Sequence, residues 1–589
     1  MKILLLSDSF NSLTQRIYIE LQQMGYDISV ELAVNTEYIE EGISCYQPNL
    51  ILCQMLTKII PASIWEKIPL LIVHPGIKGD RGASSLDRAI LEDKTTWGVT
   101  IVEASDTVDS GAIWATCEFS MGAGSKSRLY RNQVNQAAAI AAKLAVKRFE
   151  QGVFVPEPLD YSRSDVRGTY SPIVKQAQRS INWAKDPTAF ILKKIRSADS
   201  NPGLLDKINE ESYYLYGAHA EGKLVGKPGT IIAQSNGAIC RATIDGAVWI
   251  SHLKKAGKKK GNFKLPATMI LANRLDTVNK IKSTLFKAED TETYQEIFYE
   301  EKNDIGLLCF DFYNGAMSTE QCHRLRDTFL EVCQRPIKII VLMGGRNFWS
   351  NGIHLNVIEA AESPADESWR NINAMDDLVE AILTTTDKLV VSAMYGSAGA
   401  GGVMLALAAD RVFVREGVVL NPHYRSMGNL YGSEYWTYTL PRRVGNDLAA
   451  KITHNCLPMG TQEAQKIGLI DGIIYEEAGN WSGFQEQIQR IATHMAGNDY
   501  NQMLAKKADQ RIKDEAIKPL SDYRNEELAK MKENFYGDDK SYHQARHNFV
   551  TKQPPKETPI HIAKHRSLTT KAEPQVVSEN GHFFDKVVE

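Results

Sequence analysis

The sequence lacks several features that would have placed it quickly. Nowhere in its 589 residues is there an uninterrupted apolar stretch approaching the about 18 residues that a membrane-spanning helix needs, so no membrane span is expected. Neither sign of charge dominates. A formal net charge of −3 offers no basic face for nucleic acid. The eight cysteines (Cys45, Cys53, Cys117, Cys240, Cys309, Cys322, Cys333 and Cys456) are scattered, and none forms a C-x-x-C pair. There is also no H-E-x-x-H and no clustered His/Asp set at ligand spacing, so no metal is expected. Buried free thiols in a reducing cytoplasm fit this cysteine usage best. The opening MKILLLSDSF carries one lysine and a four-residue apolar run, and reads as a buried strand, not a signal peptide.

The chain is too long for one hydrophobic core, so two to four domains are expected. Apolar runs KILLLSD, NLILCQML and PLLIVHPG recur early, with the helical LTQRIYIELQQMG between them. Strands alternating with helices predict a parallel α/β sheet over 1–168. The spacing of Tyr130, Val134, Ala137, Ala141 and Leu144 predicts a long amphipathic helix from Arg128, ended by Gly152. Over 169–275 a helical PTAFILKKIRSAD precedes short strands with turn signals, GKPGTIIAQSNGAICRATIDGAVWISHL, which predict a small barrel-like β domain. The basic run KKAGKKKGNFK reads as a solvated linker. A second α/β pattern fills 276–548: strands IGLLCFDF, IKIIVLMGG, KLVVSAMYG and RVFVRE, with helices STEQCHRLRDTFLEVC, AMDDLVEAILTTT and GVMLALAAD between. Residues 549–589, rich in Pro and Lys, read as a partly extended tail.

One N-terminal segment carries most of the chemistry: LIVHPGIKGDRGASSLDRAI, followed by WGVTIVEASDTVDSGAIW. His74 follows an apolar strand, and sites in open α/β sheets lie beyond the carboxyl ends of strands. Asp109 lies in a second loop, VDSG. Converging on one crevice, the two form a general acid/base pair; the spacing alone also fits a capping Asp and a satisfied loop His. The segment resembles the formyltetrahydrofolate-dependent transferases and hydrolases, whose signature is Asn-x-His, then R-G, a G-V-T-I strand and an Asp in D-T-G. His74, Arg81-Gly82, Gly98-Val99-Thr100-Ile101 and Asp109 match it. The resemblance extends over about residues 1–260 and implies a 10-formyltetrahydrofolate site. One residue departs from it. The family's Asn, an oxyanion donor, falls on Ile72, which has no donor, so ordinary formyl transfer to an amine is in doubt.

In the C-terminal half, VLMGGRNFWSNGIHLN and MYGSAGAGGVMLALAADRVF place glycine-rich turns after strands. Such turns aim backbone N–H groups at a ligand oxygen, although either alone also fits a tight turn. About residues 296–545 resemble the crotonase, or enoyl-CoA hydratase/isomerase, superfamily. The resemblance implies a coenzyme A thioester whose carbonyl lies near the N–H groups of Ile353 and Gly401, with Gly352 and Gly402 shaping the turns. The hydratase glutamates are missing: Met404 takes the first place, and His423, after Pro422, the second. NPHYRSMGNLYGSEYW offers instead His423, Tyr424, Tyr431, Glu434 and Tyr435, of which Tyr424 and Glu434 are the preferred acid/base pair; aromatic packing is the alternative. Arg131 and Arg546 are candidate phosphate anchors for CoA, although a single Arg more commonly serves a solvated face.

A formyl-folate domain ahead of a crotonase domain, with the family Asn and both hydratase Glu absent, resembles a family of hydrogenase maturation factors. That resemblance implies formyl transfer from 10-formyltetrahydrofolate to CoA, then release of carbon monoxide for a nickel–iron site. The expected partners are these small molecules and the hydrogenase maturation machinery, in the cytoplasm, with no nucleic acid or membrane. A two-headed enzyme with independent activities and a noncatalytic folate- and CoA-binding scaffold are also compatible with the residues.

Overall fold

The computed structural model of the protein describes residues 1–54, 56–257, 262–286 and 293–568. The first sheet has the strand order Asp27–Leu32, Lys2–Ser7, Leu50–Gln54, Leu70–His74, Thr96–Glu103, Ile113–Ser120. Ile3 to Leu6 and Leu50 to Leu52 are wholly buried because helices cover both faces, which is why these strands read as unbroken apolar runs. The expected parallel sheet holds for the first four strands, and the last two run antiparallel. The short connection between Glu103 and Ile113 has no room for a crossover helix, so that pair closes as a hairpin.

The predicted long helix runs as Lys126–Leu129, a wider turn at Tyr130–Val134, and Asn135–Gln151. Ser125 caps it by accepting the Arg128 N–H, and Gly152, at φ 67°, ends it in the left-handed region. Val134, Ala137 and Ala141 are buried, but Leu144 is 39% exposed, and the buried stripe runs on through Ala145 and Val146 instead.

The small domain is an antiparallel sheet in the order Leu204–Ile208, Glu211–Glu221, Ala247–Lys255, Ala238–Ala242, Ile231–Ser235, packed on the helix Thr188–Ala198. Its two end strands do not pair with each other among the described residues, so the barrel-like curl stays open. The basic run is no simple solvated linker. Residues 258–261 lie outside the described residues, whereas Lys264 is half-buried and donates to the Ser200 carbonyl at 3.2 Å and the Tyr313 hydroxyl at 3.4 Å. Burial holds its ammonium down at about 8.

The third sheet runs Ile297–Lys302, Ile305–Phe310, Ile339–Met343, Leu389–Met394, Arg411–Arg415, Gly472–Ile474, parallel after its first hairpin. Its helices follow the predicted segments. Thr319–Cys333, for example, starts on a reciprocal cap between Ser318 and Gln321.

The expected tail is the clearest departure. Residues 549–551 complete the helix Ser541–Thr551, and the chain up to Leu568 then crosses onto the N-terminal domain. The Val30 N–H donates to the Ile562 carbonyl at 3.0 Å, and the Leu32 N–H to Thr558 Oγ1 at 2.9 Å. Fully buried Glu31 faces His565 Nε2 at 2.7 Å and Arg566 Nε at 2.9 Å, and accepts from Thr558. Asp27–Leu32 is an edge strand, and its spare donors and buried carboxylate require partners that composition alone does not reveal. Residues 569–589 lie outside the described residues.

Candidate functional site

His74 ends the strand Leu70–His74, 5% exposed. Its Nδ1 lies 3.4 Å from Asp109 Oδ2, so the two residues singled out by the motif do converge. Asp109 sits at φ 55° and accepts the Gly82 N–H at 3.1 Å, while Arg81 Nε donates to the Val108 carbonyl at 2.8 Å. The Arg-Gly pair therefore ties the histidine loop to the aspartate loop. Thr100, on the neighbouring strand, donates its hydroxyl to the Gly76 carbonyl at 2.8 Å.

A third residue, missed by the sequence reading, completes this group. Asp80 Oδ2 lies 2.8 Å from His74 Nε2, and Asp80 is buried. The turn that brings it back requires Gly76, since a methyl group there would meet Asp80 Oδ2 at 2.3 Å and His74 Nε2 at 2.4 Å. The imidazole is thus held between two carboxylates. Asp80→Asn is expected to slow use of the formyl donor that the motif implies by about tenfold or more, and by less than removal of His74 itself. Steady-state donor consumption by the purified variant measures this, and an unchanged rate would reduce Asp80 to a loop spacer. Ile72 precedes His74 by two residues on the same strand face and packs into an apolar cluster. It offers nothing to an oxyanion.

In the C-terminal half the two glycine turns interlock. A methyl group on Gly352, at φ 74°, would lie 3.4 Å from the Gly401 nitrogen, and one on Gly402 would meet the Ser350 carbonyl oxygen at 2.0 Å. The Gly399 N–H donates to the Ser350 carbonyl at 3.0 Å, and Trp349 Nε1 to the Gly402 carbonyl at 2.9 Å. The turn carrying Gly352 and Ile353 thus lies against the start of the helix Gly401–Leu407.

The Glu434 carboxyl lies on this cradle, because a methyl group on Gly401 would fall 2.0 Å from Glu434 Oε1. Its Oε2 is 2.6 Å from the Tyr424 hydroxyl and accepts the Ser433 N–H at 3.2 Å. Tyr424 also reaches the Ser433 carbonyl at 2.9 Å, so its one hydroxyl hydrogen has two acceptors to choose between. Both side chains are buried, and burial together with nearby Asp376 pushes the Glu434 carboxyl up to about 8. The other candidates fall elsewhere. Tyr431 packs on Trp436 at 5.5 Å between ring centroids. Tyr435 is completely buried. Burial holds His423 down at about 4, leaving it neutral.

The two halves meet beside this cradle. Arg131 Nη2 donates to Asn314 Oδ1 at 3.4 Å, and Asn351 Nδ2, next to Gly352, donates to the Asn314 carbonyl at 2.8 Å. Arg131 also stacks on Phe348, 4.5 Å from the ring centroid, and among the described residues it makes no ion pair. Burial lowers its affinity for its proton. A half-buried cation that makes no ion pair among the described residues, beside a glycine-walled N–H cradle, suits a ligand that carries phosphates. Arg546 differs, since its Nε lies 2.9 Å from Glu359 and its charge is shared with that carboxylate.

Residues 25–145 match the formyl transferase family, 173–266 the formyl transferase C-terminal domain, and 311–557 the enoyl-CoA hydratase/isomerase family. Hydrogenase maturation factor HoxX of Bradyrhizobium diazoefficiens is 45% identical over 96% of this chain and 97% of its own length. A crystal structure of HypX from Aquifex aeolicus in complex with tetrahydrofolic acid superimposes with a TM-score of 0.92, at 44% identity, over 96% of this chain and 99% of that one. Methionyl-tRNA formyltransferase of Bacillus licheniformis is 25% identical over 41% of this chain and 76% of its own length. Among the described residues no helix is long and apolar enough to cross a membrane.

Proposed function

Since the chain belongs to the HoxX and HypX family of hydrogenase maturation factors, we propose that it moves a formyl group from 10-formyltetrahydrofolate to CoA and then splits the formyl thioester into carbon monoxide and free CoA. The observation that carries this reading is the Glu434 carboxyl lying on the Gly401 backbone, where two glycine turns form a carbonyl cradle. The folate complex of HypX from Aquifex aeolicus supports the donor, and the enoyl-CoA hydratase/isomerase match supports CoA.

In the first step His74, held between Asp80 and Asp109, takes the thiol proton as sulfur attacks the formyl carbon. The bond from that carbon to the folate nitrogen then breaks, and His74 returns the proton to the nitrogen. Arg131 holds CoA phosphate beside the second site. In the second step the Ile353 and Gly401 N–H groups polarise the formyl oxygen. Glu434 removes the formyl proton, the carbon–sulfur bond breaks to release carbon monoxide, and the thiolate recovers a proton from Glu434. A carboxyl pushed up to about 8 is a stronger base than an exposed one, which suits an unreactive C–H bond. Its reactive form is the carboxylate, so release of carbon monoxide should rise with pH and level off above about 8. Passage between the sites without release protects the thioester from water. The product serves nickel–iron site assembly in the cytoplasm, with the maturation machinery as recipient.

The test supplies formyl-labelled 10-formyltetrahydrofolate with CoA to the purified protein and traps gas on deoxyhaemoglobin. Labelled carbon monoxide that requires CoA supports the reading, and labelled formate alone overturns it. Ile72→Asn restores the missing donor and is expected to divert labelled formyl toward formate or amine products, because such donors are worth roughly 10²–10³ in rate. An unchanged product ratio would make Ile72 incidental.

A further inference from the structure

Behind the cradle three acidic side chains surround a single serine. Asp376, Glu434 and Glu527 are all buried, as is Ser433. Asp376 comes from the helix Pro364–Thr384 and Glu527 from Leu520–Tyr536, and neither extends the cradle itself. They grip the backbone instead. The Glu434 N–H donates to Asp376 Oδ1 at 2.8 Å. The N–H groups of Tyr435 and Thr437 donate to the two Glu527 oxygens at 2.9 and 2.8 Å. The Ser433 hydroxyl bridges the two acids, at 2.9 Å from Asp376 and 3.2 Å from Glu527. What they hold is a strained elbow. Glu434 and Tyr435 have φ of 62° and 56°, two successive non-glycine residues in the left-handed region.

We propose that Asp376, with Glu527 as its companion, is a positioning residue for Glu434, holding the elbow that lays the Glu434 carboxyl on the Gly401 backbone and setting, by its own negative charge beside that elbow, when the Glu434 carboxyl ionises. This deepens the proposed function and rests on its reading of Glu434 as the base. The same geometry orders the ionisation of the cluster. Arg524 Nε lies 3.9 Å from Asp376, although this guanidinium also serves Asp377 at 2.6 Å and Glu380 at 2.9 Å. Asp376 is the acid nearest a cation, so it takes the first negative charge, and that charge opposes ionisation of Glu434. The other groups facing Glu434 are Tyr424 on its own segment, Glu527, and the Cys322 thiol on the helix Thr319–Cys333. The helix Gly401–Leu407 brings only apolar side chains.

The test is infrared titration of the full-length protein without substrate, using Glu434→Gln to identify the Glu434 carboxyl band. Asp376→Asn keeps an acceptor for the Glu434 N–H but removes the charge. It is expected to move the titration midpoint of that band down by about one pH unit. The pH profile of carbon monoxide release should move with it while the maximal rate falls, since a weaker base removes the formyl proton. Should Asp376→Asn fail to fold, Glu527→Gln is expected to move the band in the same direction by less. A midpoint that stays in place or rises in the folded variant overturns the proposal. A parent enzyme that releases no carbon monoxide would sink the decarbonylation reading, yet the infrared midpoint would still decide the role of Asp376.

Discussion

His74→Ala is expected to lower consumption of 10-formyltetrahydrofolate about 10²- to 10⁴-fold, the usual contribution of a general acid/base group. The argument is one of position. The imidazole ends a strand at the carboxyl edge of the sheet, with Asp80 2.8 Å from one ring nitrogen and Asp109 3.4 Å from the other. Alanine leaves the buried Asp80 and the partly buried Asp109 carboxylates without the imidazole between them, and no other titratable side chain in the loop reaches that place. The variant should still bind tetrahydrofolate, because the sheet and the tie between Arg81 and Val108 do not depend on the imidazole. Donor consumption followed spectrophotometrically, with folate binding measured separately, checks both parts. Normal consumption would remove His74 from the chemistry, and lost binding would point to a structural role.

Glu434→Gln is expected to separate the two steps. Donor consumption continues for as long as CoA lasts, formyl-CoA accumulates, and carbon monoxide release falls by about 10²-fold or more. The amide preserves the size of the side chain and a hydrogen-bonding partner for Tyr424, but it has no basic oxygen to take a formyl proton. Mass spectrometry of quenched reactions reads the thioester, and haemoglobin reads the gas. If donor consumption stops with no thioester present, Glu434 belongs to the first step. If gas release matches the parent, the base of the second step lies elsewhere.

The features legible in the sequence were those encoded within a few consecutive residues. His74, Arg81-Gly82 and Asp109 sit in one short motif, and the turns of Gly352 and Gly401 are written as glycine after a strand, so each could be read from spacing and matched to a family. Tyr424 and Glu434 were legible as a pair because they are ten residues apart on one segment. Asp80 was not, because its approach to His74 depends on the tight turn at Gly76, which no periodicity announces. Asp376 and Glu527 were beyond reach for another reason. They act from 58 and 92 residues away in sequence on Glu434 and Tyr435, and an acid within an amphipathic helix ordinarily reads as surface. The segment after Thr551 was misread because its composition resembles a tail, while its partner Glu31 lies 534 residues earlier than His565.

That last contact bears on how the molecule is made. The strand Asp27–Leu32 emerges early from the ribosome, whereas Thr558, Ile562, His565 and Arg566 are among the last described residues to be synthesised. Throughout translation the nascent N-terminal domain carries an open edge and a carboxylate whose burial has no compensation. Its final closure waits for the crotonase-like half to be complete. A chain aborted anywhere before Thr558 therefore leaves the ribosome with its N-terminal domain unfinished, which favours clearance of the fragment.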